Sequence, residues 1–327
     1  MNHLLTGWRK ALAATACALA CIGLAHADKY PAKPIKLVIP YAPGGSTDQI
    51  GRLVAKELAE RLGQPLVVEN RLGAGGTIGQ EFVAKAPADG YTLLFSAAGP
   101  LSVTPHIYPN LSYDPIKAFE PITLVATQPL LLVVKPSLQA RSVAELIAQA
   151  KSQPGRLSYA SFGNGSAAHL AGEYFKSLTQ TDMVHVPYKG SGPALVDLVA
   201  GQVDLMFDVF STAAPLVKGD KLRALAITST ERSPQFPQVP TMQQAGVPGF
   251  EAGTWFGLLA PTGTPKTVVA RLSQEVNAAL QSKELRDVLA AQGASVRGGS
   301  PDDFRTYFLA EYSKWGNIVK AAGITNN

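Results

Sequence analysis

The sequence has little cysteine. Cys17 and Cys21 are the two in its 327 residues, and both lie within the first 27. Once that stretch is removed, no disulfide, thiolate nucleophile or cysteine metal site remains. Histidine is scarce as well. His3 and His26 fall in the same stretch; His106, His169 and His185 lack metal-ligand spacing such as H-x-x-x-H. No G-x-S-x-G elbow occurs, so the usual serine hydrolase signature is missing. Beyond residue 27 no apolar run is long enough to span a bilayer. Charge is sparse, at 16% of residues and a formal +5. Without Arg9 and Lys10, 27 basic residues face 24 acidic ones. That excess is too mild, and too scattered, for a nucleic-acid partner.

Residues 1–27 read as a secretory signal peptide. Arg9 and Lys10 form a positive start, Ala11 to Leu24 an Ala-rich apolar run, and Ala25-His26-Ala27 an A-x-A cleavage site. A retained anchor and a lipoprotein at Cys21 are the weaker readings, since the run is short and Ala18-Leu19-Ala20 fits a lipoprotein signal poorly. The expected product is soluble, exported and periplasmic. Its length and 46% hydrophobic content suit two domains.

The rest of the chain alternates strand-like and helix-like pieces, which implies α/β architecture with largely parallel sheets. Leu37-Val38-Ile39 is a short buried strand, stopped by Pro40 and Pro43. Gly44 and Gly45 turn the chain, Ser46, Thr47 and Asp48 start a helix, and Ile50, Val54 and Leu58 continue it. Strands follow at Leu66–Val68 and Tyr91–Phe95, the latter leading to Ala98 and Gly99. A long extended stretch, Ile122 to Val134, reads as a crossing into a second domain. There, strands at Leu157–Ser161, Met183–Pro187, Val203–Phe207 and Leu222–Thr228 repeat the pattern, and a short helix is expected at Met242–Ala245. Thr254 to Ala260 reads as the return crossing, followed by a helical tail. The expected bounds are 28–128 plus 253–327 for the first domain and 129–252 for the second. Two mixed-sheet lobes joined by two strands enclose a cleft, and such sheets bind ligands at the carboxyl ends of their strands.

Four loops share the order strand end, Gly/Ser, helix start: Gly44 to Asp48, Gly73 to Thr77, Gly163 to Ser166, and Gly190 to Gly192. A helix N-terminus leaves backbone N–H groups unpaired at the positive end of its dipole, which suits an anion. One such loop is ordinary helix capping; four favour a small anionic ligand. Gly163-Asn-Gly165-Ser-Ala-Ala168 begins like a dinucleotide fingerprint, but no acidic strand end follows at the right distance. Asp48 reads as an early helix-turn carboxylate or an acceptor for a ligand amine or water. Asp208 either caps the helix after Ser211 or faces the cleft, the latter preferred. His169, three residues after Ser166, reads as lining or supporting the cleft rather than as a base. Trp255 and Phe256 read mainly as core. The candidate ligand-binding set is Tyr41, Gly44, Gly45, Ser46, Thr47, Asp48, Ala98, Gly99, Phe162, Gly163, Asn164, Gly165, Ser166, His169, Tyr188 and Asp208. No cofactor and no metal is expected.

Taken together, several segments resemble the tripartite tricarboxylate transporter substrate-binding proteins, the Bordetella uptake gene family. They include Pro40-Tyr-Ala-Pro-Gly-Gly-Ser-Thr-Asp48, Val68-Glu-Asn-Arg71, Asp89-Gly-Tyr-Thr-Leu93, Gly163-Asn-Gly-Ser-Ala-Ala-His-Leu170, His185-Val-Pro-Tyr-Lys-Gly190, Ala200-Gly-Gln-Val-Asp204 and Trp255-Phe-Gly-Leu-Leu-Ala-Pro261. The resemblance covers nearly all of the chain after residue 27. It implies a two-lobed, type II-like periplasmic binding protein that closes on a small carboxylate without catalysis. The carboxylate would lie between Tyr41–Asp48 and Phe162–His169, with bound water completing part of the contact. The implied partners are one small and one large integral membrane subunit, and the implied state is a monomer. The competing readings are an exported enzyme acting on a small carboxylate and a purely structural envelope protein. Asp208-Val-Phe-Ser211 departs from the polar or proline-containing segment expected there.

Overall fold

The computed structural model describes residues 30–108 and 110–325. The export segment expected at 1–27 lies outside the described residues. The first lobe opens with β1 (Ile35–Ile39), α1 (Ser46–Leu62), β2 (Leu66–Asn70), α2 (Thr77–Ala84) and β3 (Thr92–Ala97). A π-helical turn over Gly99–Val103 runs into the short α3 (Thr104–Ile107), and β4 (Phe119–Val134) follows. The second lobe holds α4 (Val143–Ser152), β5 (Ser158–Ser161), α5 (Ala167–Thr179), β6 (Val184–Pro187), α6 (Ser191–Ala200), β7 (Leu205–Val209), α7 (Phe210–Lys218) and β8 (Arg223–Ile227). The chain returns through β9 (Gly253–Pro261) to α8 (Lys266–Ala279), α9 (Lys283–Ala291), β10 (Ser295–Val296) and α10 (Pro301–Ala321).

The strands lie in the order β2-β1-β3-β9-β4-β7-β5-β6, with β8 and β10 also on β4. β1 is parallel to β2 and β3, and β5 is parallel to β6 and β7. β4 joins the lobes. Its first part pairs antiparallel with β9, from Phe119 opposite Pro261 to Pro129 opposite Gly253. Its last part pairs with β7, from Leu130 opposite Val209 to Val134 opposite Leu205. The first expected crossing is thus one unbroken strand, whereas β9 stays with the first lobe's sheet. At the junction the backbones nearly touch. A Cβ on Gly253 would stand 2.3 Å from the Gln128 carbonyl oxygen.

Both faces of each sheet are covered, and strand periodicity assigns each side chain to its face. In β1, Leu37 and Ile39 pack with Ile50, Val54 and Leu58 of α1, while Val38 packs with Leu94 and Phe308 on the other side. In β4, Leu130, Leu132 and Val134 join the Phe175 and Phe207 core, while Leu131 and Val133 join Leu195, Leu198 and Phe210. Each such fully buried side chain contributes about 1.5–3 kcal/mol. The helices end where their sequences say they should. Gly63, in the left-handed region, closes α1 through its N–H to the Ala59 carbonyl. Ser300 and Asp303 form a capping box on α10, with Pro301 in its first turn.

Two features depart from the sequence pattern. The helix expected at Met242–Ala245 is a series of turns, with Ala245 N–H on the Thr241 carbonyl and Val247 N–H on that of Met242. The single i→i−4 bond from Ala245 to Thr241 is not propagated, and unlike α3 this turn does not continue an adjoining helical turn. Conversely, Gly99–Ile107 is helical although its prolines do not signal it. Pro100 and Pro105 each stand in a first turn, where no N–H is required. α10 binds the lobes a further time. Phe304 and Phe308 pack against Trp255 in the first lobe, while Trp315, Ile318 and Val319 belong to the second lobe's core. Among the described residues no helix is long and apolar enough to cross a membrane.

Candidate functional site

A cavity of about 550 Å³ lies between the lobes, at the carboxyl ends of β1, β3, β5 and β7. Tyr41 and the first residues of α1, Ser46 and Thr47, form one side with Ala98 and Gly99. Phe162 to Ala167, leading into α5, form the other. β4 supplies Gln128 and Leu130, β9 supplies Phe256, and α10 supplies Trp315. Of the expected site residues, Tyr41, Ser46, Thr47, Ala98, Gly99, Phe162, Gly163, Asn164, Gly165 and Ser166 therefore meet at one cavity. Gly44, Gly45, Asp48, His169, Tyr188 and Asp208 do not line it.

Asp48, His169 and Asp208 are buried behind the lining, whereas Gly44 and Gly45 are exposed and Tyr188 is half-buried. Asp48 is 3% exposed, and its carboxylate folds back on its own loop. It accepts from Gly44 N–H (2.9 Å), Asn70 Nδ2 (2.8 Å) and Arg52 Nε (2.9 Å). Desolvation opposes its charge, but these hydrogen bonds prevail and hold the carboxyl below the usual carboxylate range. Asn70 also donates to the Tyr41 carbonyl (2.9 Å), so the end of β2 pins both ends of the loop. Gly44 takes the left-handed conformation there (φ +89°), whereas Gly45 is extended (φ −75°). The conformational demand thus falls on Gly44.

In the second lobe His169 is 7% exposed and points away from the cavity. Its Nδ1 accepts Gly165 N–H (3.0 Å), and its ring stacks on His185 with centroids 3.8 Å apart and planes 4° apart. His185 Nε2 lies 2.7 Å from Ser161 Oγ, which also receives Gly163 N–H (3.2 Å). Two imidazoles thus fix the glycine loop from below. Ser166 Oγ accepts the backbone N–H of His169 (3.3 Å) as the cap of α5, so serine and histidine form no nucleophile–base pair. Desolvation lowers the pKa of both histidines, that of His185 to about 4. Tyr188 donates from its phenol to Asp197 (2.8 Å). Asp208 is fully buried and accepts from the hydroxyls of Ser191 and Thr212, tying α6 to α7 instead of facing the cleft. Its desolvation raises the carboxyl pKa. The fourth glycine loop, Gly190 to Gly192, is absorbed in that tie, and the second reaches the cavity through Gly75 alone.

Several donors expected for the anion are already engaged. Gly44, Gly163, Gly165 and Ser166 N–H bond to Asp48, Ser161, His169 and the Gly163 carbonyl respectively. The opening amides of α1 and α5 differ. They have no carbonyl one turn back, and α1 has no side-chain cap. Ser46, Thr47 and Ala167 place these positions on the cavity, where the positive ends of both helix dipoles converge. Among the described residues lining it, none carries an ionisable group other than Tyr41 and Tyr108. Burial raises the Tyr41 phenol well above its ordinary pKa, so it stays a neutral O–H. Among the described residues no group of three or more His, Cys, Asp or Glu is disposed for a metal. The sequence gives no sign that Gln128, Leu130, Val209 and Trp315 share this cavity, because they come from three separate elements.

The family model described as tripartite tricarboxylate transporter family receptor matches residues 50–324. Protein BugT of Bordetella pertussis is 43% identical over 298 residues, covering 91% of each chain. The structure of R. palustris Rpa4515 with adipate is 40% identical, with a TM-score of 0.76 over 91% of this chain and 100% of that one. MatC from Rhodopseudomonas palustris with bound malate is 37% identical, with a TM-score of 0.72 over 89% of this chain and 100% of the other. The alternation of elements, the interlobe cavity and these matches agree: the chain belongs to the tripartite tricarboxylate transporter receptor family, solute-binding proteins of the periplasmic type and not enzymes.

Proposed function

We propose that the cleft captures a small carboxylate and presents it to a membrane transporter built from one small and one large integral subunit. The observation that carries this reading is the convergence of two helix N-termini, at Ser46–Thr47 and Ala167, on one cavity without ionised side chains. Main-chain N–H groups and the hydroxyls of Ser46, Thr47 and Ser166 are suited to a carboxylate, because charge-assisted hydrogen bonds are short and directional. The adipate and malate of the two relatives above support the ligand class.

The lobes proposed to close are 28–128 plus 253–327 and 129–252, bending where Gln128-Pro129 of β4 passes Ala252-Gly253. The receptor is a periplasmic monomer, released by cleavage after Ala27. Isothermal titration of one carboxylate and its amide, at low and high salt, tests the anion receptor. The acid binds at both salt concentrations with similar affinity, since a closed cleft is poorly screened. The amide does not bind. Equal affinity for acid and amide rejects the reading.

A further inference from the structure

We infer that Ile324, in the turn that closes α10, sets the length of acid the cleft accepts. The inference rests on the carboxylate-receptor reading and deepens it. The turn itself follows from the sequence. Gly323 takes the left-handed conformation (φ +62°). Its N–H bonds to the Lys320 carbonyl (3.3 Å), and Ile324 N–H bonds to that of Val319 (3.1 Å). This pair of bonds ends a helix and folds the apolar residue after the glycine back onto it. Ile324 accordingly packs on the core that holds Val319 and Trp315, and it lines the interlobe cavity.

Helix α5 gives the cavity a direction. Ala167 stands at its start, among the anion donors, and Leu170 lines the cavity three residues on. Leu170 lies on the same helix face, about 4.5 Å farther along the axis. It shares an apolar cluster with Val103, Ile107, Trp315 and Ile324, all of which line the cavity. A ligand whose carboxylate meets the helix starts directs its other end toward this cluster. The five side chains differ in what they offer it. Val103, Leu170 and Trp315 are 5% exposed or less, so packing leaves them little surface to give. Trp315 is also fixed by its indole N–H, which donates to Glu311 (2.9 Å). Ile107 is half-buried, but its Cδ1 is tucked against Gly165, 2.7 Å from where a Cβ there would stand. Ile324 is half-buried too, and it is carried on a turn instead of within a packed helix. Its size therefore alters the room for the ligand's far end and leaves the loops that hold the carboxylate untouched.

The test is isothermal titration of ligand-stripped wild type, Ile324→Ala and Ile324→Trp with linear mono- and dicarboxylates of four and ten carbons. The quantity read is the ratio of ten-carbon to four-carbon affinity within each protein, which a general loss of stability does not move. Ile324→Ala should raise that ratio at least about fourfold, the worth of one buried methylene. Ile324→Trp should lower it by at least as much, with the four-carbon affinity unchanged. Melting without ligand shows whether each variant folds, and Ile324→Phe replaces the tryptophan variant if that one does not. An unchanged ratio in folded variants overturns the inference but leaves the carboxylate receptor intact. So does an equal loss of affinity for short and long acids, which would make Ile324 a packing residue only. Wild-type protein that binds none of these acids removes both readings.

Discussion

The Nδ1 atom of His169 receives the Gly165 N–H at 3.0 Å, so a side chain outside the cavity shapes the loop that lines it. The contact requires an unprotonated Nδ1. It also explains why the loop can be rich in glycine yet present a defined surface: Gly163 and Gly165 are both left-handed, with φ +133° and +71°, and both N–H groups have acceptors.

His169→Phe tests this relationship. Phenylalanine retains a ring to stack on His185 but removes the acceptor. Leaving Gly165 N–H without a partner costs about 1–3 kcal/mol, shared between stability and ligand affinity. Urea unfolding with and without carboxylate separates the two. If both stay at wild-type values, the histidine does not support the loop.

In the first lobe the two adjacent glycines should respond differently. Gly44→Ala places a Cβ at φ +89°, which costs about 1–2 kcal/mol. It also disturbs the N–H that Asp48 accepts. Gly45→Ala meets nothing closer than the Ala42 carbonyl oxygen at 3.9 Å, with φ −75°. Its unfolding midpoint should match the wild type. Thermal denaturation of both variants gives the comparison, and an equal loss in the two contradicts the assigned loop conformation.

Gly253 is constrained by contact rather than by torsion alone. Gly253→Ala drives a methyl into the Gln128 carbonyl, 2.3 Å away, where β4 and β9 meet at the junction between the lobes. The expected loss is about 1–3 kcal/mol, as for overpacking. Small-angle scattering should also show an altered change in radius on ligand binding. A variant that closes normally at full stability would place the hinge elsewhere.

Stability should fall in mild acid. The pKa of His185 is lowered from about 6.5 to about 4, first by desolvation and then by the neighbouring His169, whose own pKa is also lowered. As pH falls below about 6.5, the unfolded chain takes up these protons before the folded one. The folded state therefore loses stability progressively down to about pH 4, below which His185 contributes no further slope. Glu173 faces both rings and favours their charged forms, Lys176 opposes them, and neither reverses the direction. Denaturant midpoints at pH 7, 5.5 and 4.5 should decline in that order, and His185→Phe should flatten the decline. A wild-type profile that is flat over this window contradicts the burial of the pair.

Much of the fold is written in local sequence. Leu37-Val38-Ile39 followed by Pro40 sets a short two-sided strand, and Ile50, Val54 and Leu58 set the helix after it, because both patterns depend on near neighbours. The crossing strand β4 is legible as a long apolar stretch, and two of the four glycine loops, Gly44 to Asp48 and Gly163 to Ser166, lead into helices that open on the cavity. Tertiary structure decided the rest. The sequence cannot tell whether Asp48, His169 and Asp208 face a ligand or their own backbone, because a polar side chain at a strand or helix end can turn either way. Their partners Asn70, Gly165 and Ser191 resolve it, and Asn70 and Ser191 arrive from elements far along the chain. Likewise Leu130 and Trp315 look like core in sequence, and become cavity wall only because β4 and α10 both cross between the lobes. Periodicity specifies that a residue is buried, whereas the packing of distant elements determines what it is buried against.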